Sequence, residues 1–320
     1  MWTSLSCIVP PHTQSFGLGG ALPAQAYLDR LTDYCAAVER IGVTGAFVYD
    51  FPVAMDPWLA AFDVLAVSPT LEPIVAVRPH MESPESVARR VTDLAYRFRR
   101  PTHVNVVAGA TRSSRASGNP VDKPADKPVD KVAARAELAE FAAVLRCEVE
   151  RRRGEGERSI VVTPSSTTPG VVPADAVLLM ARPRDTLARD IGRVRAEQGV
   201  ERIFLLVGLV VRDDDEAAWT AARELYRPDR RQIIAGRMFV SQVVSSEHTA
   251  SYALAERADV HDERLWYGAP ARGIDAPKLV GSTADVRDWL RSCADIGVTD
   301  VIVDLVPDPA EYSRMGEVLT

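Results

Sequence analysis

Three stretches of the chain are written to one pattern: ERIGVTGAFVYDF at 39–51, AEQGVERIFLLVG at 196–208 and ADIGVTDVIVDLV at 294–306. Each is the tail of a helix, a glycine, and then an apolar run rich in β-branched residues. The last copy shows the logic best. Upstream of it, STADVRDWLRSCADIG (282–297) puts Val286, Trp289, Leu290, Cys293 and Ala294 on one stripe at helical spacing. Ser282, three residues ahead of Asp285, has the form of a capping box. Gly297 stands where a helix end calls for a left-handed residue. The run that follows is apolar almost throughout, as a strand covered on both faces must be. Helix, glycine stop and buried strand, repeated, build a parallel sheet flanked by helices.

Strand-like runs recur at 4–9, 45–51, 73–79, 103–110, 159–164, 176–183, 203–212 and 300–306, and helical patterns separate most of them. In SPESVARRVTDLAYRF (83–98), Ser83 is a candidate N-cap and Pro84 the first helical residue, with Val87, Val91, Leu94 and Phe98 facing inward. In the helix after 131, Leu138, Phe141, Leu145 and Val149 share a face. Eight such strands in 320 residues predict one domain, a (β/α)8 TIM barrel with insertions at its C-terminal face. Two places break the rhythm. Residues 165–175, between the fifth and sixth strands, are too short and proline-rich for a full helix. The long segment 227–277 has mixed helical signal and no strand of its own, and is expected to form an insertion or lid. A low-complexity Asp-Lys-Pro run, NPVDKPADKPVDK (119–131), cannot pack, so 111–130 is expected to be a mobile loop after the fourth strand.

Composition excludes several classes. Net charge is −6 with basic residues dispersed among acids, so no basic stripe points to nucleic acid. No apolar run approaches the roughly 20 residues that span a bilayer. The opening MWTSLSCIVPP has no signal-peptide form, and the four cysteines form no CxxC pair, so a cytoplasmic chain with buried, reduced thiols is expected. The five histidines make no ligand cluster, and GLGGA (17–21) lacks the strand and turn of a dinucleotide fingerprint.

Longer motifs carry a resemblance. The stretch from PWLAAFDVLAVSPTLEPIVAVRPHMESPESVARRVTDLAYRF to THVNVVAGA resembles the bacterial luciferase-like flavin monooxygenases, and most of all their alkanesulfonate monooxygenase branch. APKLVGSTADVRDWLRSCADIGVTDVIVD and VVRDDDEAAWTAARELY are similar to further stretches of that family. The resemblance implies reduced FMN as a cosubstrate from a separate flavin reductase, O2 activation on that flavin, and a small organic substrate, in a setting of specialised metabolism. A homo-oligomer is expected. Relatives on this barrel use the deazaflavin F420 instead, which leaves an F420-dependent oxidoreductase as an alternative, alongside a flavin-binding homologue that has lost catalysis.

Candidate site residues follow from barrel geometry and the resemblance together. The C-terminal strand ends, where barrels place their chemistry, carry His12, Asp50, Arg78 and Asn105. An Arg before Pro at 78 reads more often as a structural ion-pair partner than as a site residue. Asn105, inside an apolar strand, needs hydrogen-bond partners, whether core groups or flavin edges. Gly109 permits the close backbone approach that a planar ring against the strand end needs, and Ala108 beside it is a further cofactor-binding candidate. The resemblance places flavin phosphate at PSSTTPG (164–170), on Ser165, Ser166 and Thr167, and a closing arginine at Arg272 in APARGIDAP. His12 and Arg272 are the catalytic candidates. Departures are as informative: residues that the sulfonate branch directs at its active site read Leu206, Gly208, Ala54, Val306, Ala134 and Arg135 here, which argues against an alkanesulfonate substrate.

Overall fold

The computed structural model describes residues 2–13, 20–50, 55–107, 131–152, 159–164, 174–227, 246–270, 276–304 and 310–319. The chain alternates β1 (Ser4–Ile8), α1 (Ala24–Arg40), β2 (Gly45–Val48), α2 (Pro57–Val67), β3 (Glu72–Val77), α3 (Pro84–Phe98), β4 (His103–Val106), α4 (Lys131–Arg152), β5 (Val161–Pro164), β6 (Ala176–Met180), α5 (Arg184–Gln198) and β7 (Arg202–Arg212). It continues through α6 (Asp215–Leu225), α7 (Ser246–Arg257), β8 (Val260–His261), β9 (Leu265–Trp266), β10 (Lys278–Ser282), α8 (Thr283–Asp295), β11 (Asp300–Val303) and α9 (Glu311–Leu319). Strands β1 to β7 pair in order and in parallel, and β11 pairs with both β1 and β7, which closes an eight-stranded (β/α)8 barrel.

The three pattern glycines do what the sequence requires of them. Gly42, Gly199 and Gly297 all take left-handed backbone, with φ of 82°, 65° and 108°, a conformation that other residues adopt only at a cost. The strands they release alternate strictly. Ile8, Phe47, Ile74, Leu178, Phe204 and Ile302 fill the barrel interior, while Cys7, Val48, Val75, Val104, Leu205 and Val301 face the helices. Each such side chain contributes about 1.5–3 kcal/mol by leaving water.

The helices follow their stripes. Leu138, Phe141, Leu145 and Val149 are all buried. In α3, Ser83 Oγ accepts from Ser86 N at 3.2 Å, and Val87 and Val91 are buried deeper than Leu94 and Phe98. In α8, Val286, Trp289, Leu290 and Cys293 are buried, but Ala294 is exposed, one step past the stripe where the helix turns toward Gly297. Cys7, Cys35 and Cys293 are buried; Cys147 is exposed on the outer face of α4.

One expectation is corrected. The segment before the last barrel helix does hold strands. The C-terminal half of β7 leaves the barrel and pairs in parallel with β10, which pairs antiparallel with β9, and β9 with β8. Strands β8 and β9 are too short to show alternation, and their turn carries Asp262 and Glu263 at positive φ with no glycine to announce it. Loop 111–130 and the 165–173 turn lie outside the described residues. Among the described residues, no helix is long and apolar enough to cross a membrane and no group of His, Cys, Asp and Glu could hold a metal ion.

Candidate active site

Strand parity decides which side chains meet at the mouth of the barrel. On β4, Val104 and Val106 pack outward, so Asn105 points inward, in register with Ala76 of β3 and Val162 of β5. It is 4% exposed, and among the described residues its Oδ1 has no hydrogen-bond partner. An orphaned amide oxygen in a barrel wall costs about 1–3 kcal/mol, and a ligand donor would relieve that cost.

His12 follows β1 and lines a small open cleft with Pro10, Tyr27, Tyr49 and Met55. Its Nδ1 accepts from Met55 N at 3.0 Å, and Tyr27 meets the ring edge-on at 6.4 Å. A ring nitrogen that accepts from a backbone amide carries no proton, so the neutral tautomer holds its N–H on Nε2. His12 is therefore a donor at Nε2.

Arg78 reads as an ion-pair partner in the structure. Its Nη2 donates to Asp50 Oδ1 at 2.9 Å and its Nε to Oδ2 of the same carboxylate, joining the ends of β2 and β3. Across the mouth, Arg182 follows β6. Its Nη1 donates to Asp190 at 2.6 Å, its Nη2 to Glu247 of α7, and its Nε to Met180 O at 3.1 Å. Burial alone would lower the pKa of this guanidinium; the Glu247 and Asp190 carboxylates outweigh it and raise the pKa.

A third ion pair, which the sequence reading missed, joins Lys278 to Asp304. Lys278 is fully buried, and its Nζ donates to Asp304 Oδ2 just past β11. Asp304 also accepts from Ala276 N at 3.0 Å, and the Tyr226 ring centroid lies 4.9 Å from the ammonium. His248 on α7 is pushed down to about 4 by burial, against the pull of the Asp304 carboxylate, so it is uncharged at neutral pH. A signal existed for both ion-pair partners: each is a charged residue inside an otherwise apolar run, PKLVG and VIVDLV.

The structure thus brings His12 and Asn105 to the same end of the barrel. Ala108, Gly109, Ser165, Ser166, Thr167 and Arg272 lie outside the described residues, as do Ala54 and Val306. Leu206 packs into the barrel interior, and Gly208 leaves bare backbone under Lys278. Ala134 and Arg135 sit half-buried on the first turns of α4.

No family model matches the chain. Over 312 residues it is 22% identical to the 4-(γ-L-glutamylamino)butanoyl-[BtrI acyl-carrier protein] monooxygenase BtrO of Niallia circulans, covering 87% of this chain and 88% of that protein. Its structure is similar to riboflavin lyase RcaE, solved with a modified FMN and riboflavin, at a TM-score of 0.70, 14% identity and coverage of 100% of this chain and 91% of that one. It is similar as well to the coenzyme F420-dependent tetrahydromethanopterin reductase of Methanopyrus kandleri, at a TM-score of 0.61, 12% identity and coverage of 99% and 97%. What this chain shares with these two structures along its length is the closed (β/α)8 barrel, the fold of luciferase-like monooxygenase structures.

Proposed function

We propose that this chain is a flavin-dependent monooxygenase that takes reduced FMN from a separate reductase and uses O2 to oxidise a small organic substrate. The observation that carries the reading is Asn105, whose buried Oδ1 faces the barrel interior with no donor among the described residues. An N–H on the edge of an isoalloxazine ring is a donor of the right kind. The full-length similarity to a monooxygenase, and to a barrel solved with a modified FMN, supports the same assignment. FMN, when bound, supplies the electrons that activate O2. The protein's part is to hold and shield it. Asn105 would accept from the ring, and His12 would donate from Nε2 to the bound molecules. Ala108 and Gly109 would let the ring approach the end of the fourth strand, Ser165, Ser166 and Thr167 would hold the phosphate, and Arg272 would close over the site and exclude water.

The test is titration of the purified chain with oxidised FMN, reduced FMN, FAD and F420, followed by fluorescence or calorimetry. Weak binding of oxidised FMN and tighter binding of the reduced form is the expected result. Binding of F420 without FMN would replace the reading by deazaflavin-dependent hydride transfer, which the likeness to the F420-dependent reductase favours as second choice. Binding of no flavin at all would overturn both.

A further inference from the structure

The walls of the cleft beside His12 limit what that residue can recognise. Val9, Val48, Met55 and Ala60 make it apolar, and no Asp, Glu, Lys or Arg is among the described residues that line it. Tyr27 lines it too, but its hydroxyl is committed to Asp63 of α2. His12 is half-buried, with its own carbonyl held by Leu22 N at 2.9 Å. Besides the Met55 amide and the edge-on Tyr27 ring, its side chain has no partner among the described residues.

Met55 stands one residue ahead of Asp56, the cap of α2. The start of that helix therefore presents the amide that occupies Nδ1, and Nε2–H is what the ring has left for a ligand. Charged groups on the surrounding elements are engaged elsewhere. Asp50 holds Arg78, Asp56 caps α2, and Arg30 of α1 donates to Thr13 O at 3.4 Å. An anion in the cleft would shed its water against apolar walls without a counter-charge, and an ammonium would meet N–H with N–H; both are costly. An uncharged oxygen gains a hydrogen bond instead.

We propose that His12, held by the Met55 amide as an Nε2 donor, is the specificity-determining residue of this cleft, and that it selects a substrate whose end group is a small uncharged carbonyl or hydroxyl oxygen over one that ends in an anion or an ammonium. The inference deepens the monooxygenase reading and rests on it in calling the occupant a substrate.

Nitrogen-15 NMR of the full chain labelled at histidine tests it at about pH 8, where an imidazole is uncharged. His12→Gln assigns the His12 signals. The wild type is expected to show the His12 proton on Nε2 and bare Nδ1. Three probes are titrated with and without FMN: butyramide, butane-1-sulfonate and butylammonium. Butyramide is expected to shift the Nε2–H signal and to bind about five-fold more tightly than either ion, the size of one hydrogen bond. His12→Phe, which keeps a ring but no N–H, is expected to lose that margin, and His12→Gln, which keeps a donor, to retain part of it. Met55→Pro removes only the amide hydrogen and is expected to show Nδ1–H alongside Nε2–H; if it does not fold, the wild-type tautomer still decides the lock. Nδ1–H in the wild type, preference for either ion, no response of His12 to any probe, or unchanged butyramide affinity in His12→Phe would each overturn the proposal. FMN binding with no discrimination among probes sinks this inference alone. Absent binding of any flavin sinks the monooxygenase reading, and the probe ranking then stands or falls as a property of the cleft.

Discussion

Gly208 and Gly192 lack the same atom and make opposite demands. Gly192 lies exposed in the middle of α5, with nothing within 4 Å of the Cβ it lacks, so Gly192→Ala gains helix propensity and is expected to stabilise by about 0.5–1 kcal/mol. At Gly208 the same methyl group meets the Lys278 chain and pushes the ammonium from Asp304; overpacking of this kind costs about 1–3 kcal/mol. Urea unfolding of the two variants should therefore shift in opposite directions, and equal shifts would mean that Lys278 does not cross residue 208. Asn105 gives a second contrast, between stability and binding. Replacing it with Leu removes an unsatisfied buried oxygen, so Asn105→Leu is expected to melt no lower than the wild type. Its affinity for FMN should fall by roughly 1 kcal/mol, about five-fold, the size of one lost hydrogen bond. A variant that loses stability instead would make Asn105 a structural residue.

At the scale of elements, Ser282 ends β10 and caps α8, so one hydroxyl joins the outer sheet to the last barrel helix. It donates to Asp285 Oδ2 at 2.5 Å and accepts from Asp285 N at 3.3 Å. Ser282→Ala is expected to cost about 1 kcal/mol, read as a lowered denaturation midpoint at unchanged slope. This cap was legible in the sequence, as were the barrel strands and the three left-handed glycines, because each has a local cause: a side chain bonded three residues away, a φ that only glycine takes cheaply, a run of β-branched residues. The β8–β9 hairpin was not legible. Two-residue strands carry no periodicity, and what holds them is pairing with β10, which no local pattern records. The candidate site divides the same way. His12 and Asn105 stand out as polar residues at strand ends. The Lys278–Asp304 and Arg182–Glu247 pairs join residues 26 and 65 positions apart, which meet only after β11 closes the barrel and α7 packs on β6.

Closure of the whole molecule runs through β11, wedged between β1 and β7. At the N-terminal end of this seam the buried Asp300 accepts from Ser4 Oγ of β1 at 2.5 Å and from Arg202 Nη2 of β7 at 2.8 Å. At the C-terminal end Asp304 N donates to Val207 O at 2.9 Å, while its carboxylate binds Lys278. One strand thus fastens both ends of the barrel, and His248 stands in the field of its upper carboxylate. That makes global stability sensitive to mild acid in a definite direction. An unfolded chain protonates His248 near its ordinary value of 6.5, whereas burial pushes the folded value down to about 4. Between these values the unfolded state binds the extra proton, so the contribution of His248 is complete above 6.5 and is lost as pH falls toward 4. At pH 5 the full shift corresponds to about 2 kcal/mol, and since part of the residue still meets solvent the loss is about 1–2 kcal/mol. Carboxylates titrate in the same range, so the measurement is a difference. Urea unfolding of wild type and His248→Asn at pH 7 and pH 5 should show the wild type losing about 1–2 kcal/mol more than the variant over that step. Equal losses would mean that His248 is already protonated in the folded barrel at pH 5, with Asp304 winning over burial.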